Sequence, residues 1–189
     1  MGDFVWFDKN SSGNFDAGDF NAGPGILLNL LDENGDPVLD SNNQPITTVT
    51  DADGRYLFTN LPEGNYIVEI DASASTMVRL WKRPLWPPVQ KHPAVTGISN
   101  EDVDHNASNS VGGAYRSNVI KLTAGGQPLD DDTAGIAPSN SADEDNNLTI
   151  DFAFIPPPRD YGDLPDTYGT TLSNNGASHI INSEVTWVR

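Results

Sequence analysis

Twelve residues near the start of the chain carry oxygen at a spacing that wraps a hard cation. They run Asp8-Lys9-Asn10-Ser11-Ser12-Gly13-Asn14-Phe15-Asp16-Ala17-Gly18-Asp19. Set against a twelve-residue calcium loop, Asp8, Asn10 and Ser12 stand at the first, third and fifth positions, and Asp16 and Asp19 at the ninth and twelfth. Asn14, at the seventh, offers its main-chain carbonyl. Gly13 falls where the chain must turn sharply, and Phe15 where such loops carry an apolar residue. Calcium takes roughly six to eight hard oxygens at ~2.3–2.6 Å, and a curled loop with oxygens at alternate residues supplies them. Ca2+ is therefore the expected cofactor. Two departures stand out: Ser12 is a neutral ligand, and Asp19 is shorter than the usual bidentate Glu. The competing reading is an Asp/Asn/Gly turn that curls without metal.

Other candidates are less ordered. Asp102, Asp104 and Asn106 alternate like the front of a second calcium loop, but no Gly follows at the required position. Asp143 and Asp145, around Glu144, and the run Asp130-Asp131-Asp132 are acidic clusters whose ordinary role is a solvated face. Residues 79–93 hold four of the ten basic residues and two of the four tryptophans. Trp81, Arg83 and Trp86 there could present aromatic and cationic faces to a sugar or a partner chain. The alternative is an irregular insertion that covers a sheet edge. His92, His105 and His179 are scattered. His105 beside Asp104 and near Ser108 makes no triad without a spatial reason. With no nucleophile elbow, phosphate loop or zinc motif, no enzyme is expected.

The elements that must hold these residues read as strands. Period-two segments bounded by Gly, Pro, Asn and Asp dominate, and helical periodicity is nearly absent. The segments are 3–7, 25–31, 46–50, 55–59, 65–70, 117–123 and 148–154. In the last, Leu148, Ile150, Phe152 and Phe154 share one face, opposite Thr149, Asp151 and Ala153, which predicts one buried and one wet face. Turns are expected at 32–35, 51–54 and 61–64. About seven short strands with this punctuation predict an all-β sandwich with long acidic loops.

Composition narrows the partners. Asp plus Glu total 27 against 10 Lys plus Arg in 189 residues, a net charge of -17. Such a surface repels phosphates and anionic membranes, so no nucleic acid partner and no membrane insertion are expected. There is no cysteine, hence no disulfide or thiolate site. No stretch of ~18 apolar residues and no signal peptide is visible, so the chain reads as a fragment whose export signal lies elsewhere.

Together, Gly2-Asp3-Phe4-Val5-Trp6, the Asp8–Asp16 spacing, Gly23-x-Gly25-Ile26 and Thr50-Asp51-x-x-Gly54-x-Tyr56-x-Phe58-x-x-Leu61-Pro62-x-Gly64-x-Tyr66-x-Val68 resemble SdrD B-like (Cna B-type) repeats of bacterial cell-surface proteins. Ile120-x-Leu122-Thr123 and Asn147-Leu148-Thr149-Ile150-Asp151-Phe152 look like that family's closing strands. The resemblance covers roughly residues 1–155. It implies a prealbumin-like Greek-key β-sandwich that binds calcium and serves as a stiff spacer beside an adhesive domain, on the bacterial surface or secreted. Implied partners are neighbouring repeats or identical subunits, and a host or matrix protein or glycan. Alternatives are a self-assembling filament or sheath subunit, or a carbohydrate- or protein-binding module using residues 79–93. Some relatives carry a Lys–Asn or Lys–Asp crosslink between first and last strands. The opening strand here has no Lys, so none is expected. Residues 156–158, three prolines, read as a linker, and 159–189 as the truncated start of a second surface-protein repeat, opening on Asp160-Tyr161-Gly162-Asp163.

Overall fold

The computed structural model describes residues 1–71, 90–91, 107–111, 114–129, 135–139, 141–155, 159–161 and 178–180, apart from 11, 13 and 14. Strands β1 (Gly2–Phe7), β2 (Phe20–Asn21), β3 (Leu27–Asp32), β4 (Thr47–Val49), β5 (Arg55–Leu57), β6 (Gly64–Asp71) and β7 (Gln90–Lys91) come first. They are followed by β8 (Ala107–Val111), β9 (Ala114–Ser117), β10 (Ile120–Leu122), β11 (Phe152–Ile155), β12 (Arg159–Tyr161) and β13 (Ser178–Ile180), with one 3-10 turn at Asp143–Asp145. The fold is an all-β sandwich. One sheet has the order β2-β1-β11-β7, with β5 also paired to β1; the other runs β4-β3-β6-β9-β8, with β10 also on β6. Among the described strands every pairing is antiparallel except that of β1 with β11, which is parallel, Phe7 facing Phe154. Among the described residues, β12 and β13 pair only with each other.

Alternation drives the packing. Leu28 and Leu30 of β3, Val68 and Ile70 of β6, and Val5, Phe152 and Phe154 of the opposite sheet are all buried in one apolar cluster. Burial of that kind is worth about 25 cal/mol per Å² of apolar surface.

The closing segment corrects the sequence reading. Its second face is not wet: Thr149, Asp151 and Ala153 are buried like their neighbours. β11 lies inside its sheet, and Phe4, Trp6 and Ala153 form a second small core on its far side. Asp151 is tolerated there because its Oδ1 accepts the Phe4 N–H at 3.4 Å. The regular strand also starts later than expected, at Phe152. The segment expected as one strand over 117–123 is two, β9 and β10, both on β6. At the break, the Ser117 hydroxyl takes the Val68 N–H at 2.9 Å, a bond that a ladder carbonyl would otherwise accept.

Three turns share one construction. At Asp32, Asp40 and Asp51, one carboxylate oxygen accepts two main-chain N–H groups, from the residues two and four positions on, all at 2.8–2.9 Å. The residue three positions on has a positive φ in each: Gly35 at 88°, Asn43 at 61° and Gly54 at 77°. Gly and Asn reach that region at least cost. These donors hold the Asp32 and Asp40 carboxyls below the ordinary 3.8, the Asp36 and Gln44 N–H groups acting most strongly.

Candidate cation site in the 8–19 loop

β1 ends at Phe7 and delivers Asp8 directly into the site. The Asp8 N–H donates to the Phe154 carbonyl at 2.9 Å, so the first position of the loop is fixed to the closing strand. The Asp8 residue is fully buried, at 0% exposure. Burying a carboxylate is costly unless donors or a cation meet it. Its Oδ1 accepts the Ser12 N–H at 3.2 Å, and the same N–H lies 2.8 Å from Asn10 Oδ1. Asn10 Nδ2 donates to Asp16 Oδ1 at 2.8 Å, and the Ser12 hydroxyl donates to Asp16 Oδ2 at 2.9 Å. Positions 1, 3, 5 and 9 of the expected loop are thus linked to one another by hydrogen bonds.

Asp19 stands apart from that group. Its Oδ1 accepts the Lys9 N–H at 2.8 Å and its Oδ2 the Asp16 N–H at 2.9 Å. The residue expected as the twelfth ligand therefore clasps the start of the loop to its end. Asn14, with Ser11 and Gly13, lies outside the described residues. Among the described residues no three carboxylate or imidazole groups gather at metal-holding distance. The convergent set is mixed, two carboxylates with an amide and a hydroxyl. That hard-oxygen chemistry fits calcium, which accepts neutral oxygens beside carboxylates.

An aromatic plug that the sequence did not reveal holds the loop down. Phe15 sits edge-on to Phe4 and Trp6, ring centroids 5.1 and 5.4 Å away. Trp6 is wholly buried beneath it, while Phe15 remains 42% exposed. The apolar eighth position thus seals the second core, and the loop's fold is tied to that of β1.

The remaining candidates separate from this site. Asp145 lies in the 3-10 turn, and its Oδ1 accepts the Gly125 N–H at 2.8 Å, a loop-tying role. Asp143 begins the same turn. Asp102, Asp104, Asn106, Trp81, Arg83 and Trp86 lie outside the described residues. A cleft of about 540 Å³ lined by Leu57, Asn60, Leu122 and Asp145 also includes Met1. It therefore lies at the opposite end of β1 from the loop.

The SdrD B-like domain model matches residues 1–81, which include β1, the 8–19 loop and β2 to β6. Residues 1–81 belong to the SdrD B-like family. The SdrD B-like segment is 45% identical over 69 residues to serine-aspartate repeat-containing protein D of Staphylococcus aureus, strain Newman, covering 36% of this chain and 5% of that protein. It is 39% identical over 71 residues to a fibrinogen-binding protein of Staphylococcus epidermidis, covering 38% of this chain and 6% of that protein. It is 39% identical over 69 residues to Colossin-B of Dictyostelium discoideum, covering 36% and 2%. The matched segment is thus a small part of each relative. The family match ends at residue 81, short of the expected 155, yet β8 to β11 complete both sheets.

Proposed function

We propose that this chain is a calcium-stiffened structural module of an extracellular surface protein, a non-enzymatic spacer carried beside an adhesive region. The observation that carries the reading is the convergence of Asp8, Asn10, Ser12 and Asp16 at the end of β1, with Asp8 buried against the closing strand. A cation held there by the two carboxylates, with the Asn10 and Ser12 oxygens turned inward, neutralises a buried charge at the junction of the first and last strands. Binding to the folded state alone stabilises it by mass action, and extracellular calcium in the millimolar range fills even weak sites.

The family match supports a structural role, and the staphylococcal relatives support a place in surface adhesins. Fibrinogen binding belongs to the name of a relative of which the match covers 6%. What this chain shares with it is the module, so neighbouring repeats of the same chain are the first partners to consider. Among the described residues no helix is long and apolar enough to cross a membrane.

Calorimetric titration with calcium tests the site directly. Saturable binding is expected for the native chain and at least about tenfold weaker binding for Asp16→Ala, the cost of about 1.4 kcal/mol in one ligand. Equal binding by both proteins would remove the loop from the account.

A further inference from the structure

The Asp32, Asp40 and Asp51 turns share one construction, so they compare different side chains at nearly fixed geometry. Their third and fourth residues are Asn34-Gly35, Asn42-Asn43 and Asp53-Gly54. An asparagine amide carbon can close a five-membered ring with the main-chain nitrogen of the next residue. In that step the nitrogen bonds to Cγ, the Cγ–Nδ2 bond breaks, and ammonia leaves with the proton of the attacking N–H. Water then opens the cyclic imide at either carbonyl, giving aspartate or isoaspartate. The reaction favours an amide on the first residue and no side chain on the second to crowd the ring. Of the three turns, only the Asp32 turn meets both conditions. Asn43 puts a Cβ beside the attacking nitrogen, and Asp53 has no ammonia to lose. Gly54 is also buried, with the Val5 carbonyl oxygen 2.6 Å from where a Cβ would stand, whereas Asn34 is exposed and Gly35 half-buried.

The turn that exposes this amide also holds both reacting groups. The Gly35 N–H donates to the Asp32 carbonyl at 3.0 Å. Asn34 Nδ2 donates to Asp32 Oδ2 at 3.3 Å, and Asp32 Oδ1 accepts the Asn34 and Asp36 N–H groups, each at 2.9 Å. From above, Arg116 Nη1 lies 2.8 Å from where a Cβ on Gly35 would stand. An intramolecular attack needs its atoms aligned. Ring closure therefore requires the Gly35 N–H to leave the Asp32 carbonyl and the Asn34 amide to leave Asp32 Oδ2.

We propose that Asn34 is a modification site, converting spontaneously to aspartate and isoaspartate at a rate set by the Asp32 carboxylate. Conversion replaces the Nδ2 donor by a second carboxylate facing Asp32, and isoaspartate also lengthens the main chain inside the turn. Either product loosens the closure made by the Asp32 N–H on the Asp36 carbonyl, at 2.8 Å, and by the Leu31–Pro37 bridge. The site shares no residue with the 8–19 loop, so the inference goes beyond the spacer reading and does not depend on it.

The test incubates the full chain at neutral pH, digests it, and resolves the peptides by mass and by isoaspartate content. Asn175-Gly176 repeats the dipeptide outside the described residues, so each site is read on its own peptide. Asn34 is expected to convert ahead of Asn42, and about tenfold faster in Asp32→Ala, the factor given by about 1.4 kcal/mol of lost restraint. Asp32→Asn, which keeps an acceptor oxygen, is expected near the native rate. Gly35→Asn, which copies the Asp40 turn, is expected to slow Asn34 to the rate of Asn42. Melting curves establish which proteins are folded during incubation. If Asp32→Ala is not, the native chain with and without denaturant gives the same comparison, with Asn34 again about tenfold faster when released. Equal rates at Asn34 in the restrained and released proteins overturn the role of Asp32. Conversion at Asn34 no faster than at Asn42 in the denatured chain overturns the site itself.

Discussion

The 8–19 loop and the Asp32 turn are both acidic, both rich in Asp, Asn and Gly, and both follow a strand, yet they use their carboxylates differently. In the turn, Asp32 Oδ1 receives the Asn34 and Asp36 N–H groups, and Gly35 N–H closes the hairpin on the Asp32 carbonyl. The main chain itself supplies the positive ends of the dipoles, and the turn is complete as it stands. In the loop, Asp16 receives only side-chain donors in the described contacts, from Asn10 and Ser12. Those donors can turn away without undoing any main-chain bond. An oxygen that two main-chain N–H groups meet, as at Asp32, is structural; Asp16, met by neighbouring ligand-type side chains, and Asp8, whose Oδ1 takes one N–H that Asn10 Oδ1 also accepts, are the carboxylates proposed to meet a cation.

The largest effect expected from breaking this contrast is at Asp8. In Asp8→Ala one of two acceptors of the Ser12 N–H is lost, at about 0.5–1.5 kcal/mol, because Asn10 Oδ1 still accepts it. All response of the melting temperature to calcium is lost with it. Thermal melts with and without calcium check both. Asp32→Ala sharpens the contrast from the other side: the melting temperature falls, but by the same amount in calcium and in chelator, so the calcium increment is intact.

The smallest effect is in acid. The folded Asp32 and Asp40 carboxyls titrate below their ordinary 3.8, so their contribution is fully present above that value and is lost as pH falls through the lowered values. Denaturant midpoints recorded from pH 5 downward should drop less steeply in that window for an Asp32→Ala, Asp40→Ala double variant. Parallel curves for the two proteins would remove these turns from the acid response.

Much of this was legible in the sequence because it is local. Alternation marked β1, β3 and β6, and the Asp-x-x-Gly pattern marked the turns at Asp32 and Asp51. The Asp40 turn has the same spacing but carries Asn43 where the others carry Gly, and it went unmarked for that reason. The convergence of Asp8, Asn10, Ser12 and Asp16 followed from alternate spacing. What spacing could not show was set by the tertiary fold. Asp151 is buried because β11 lies between β1 and β7, Phe15 covers Trp6 across the sheet, and Asp19 meets main-chain amides instead of pointing to its loop companions. Pattern within one strand cannot tell which face a distant segment will cover.

The central claim, that the 8–19 loop is a cation site that stiffens the module, is tested most directly by thermal unfolding of the chain in millimolar calcium and in excess chelator. The account predicts a rise of about ten degrees or more with calcium, consistent with ~3–5 kcal/mol of linkage, that disappears in Asp8→Ala and Asp16→Ala but survives in Asp32→Ala. Superimposable melts in calcium and chelator would contradict it.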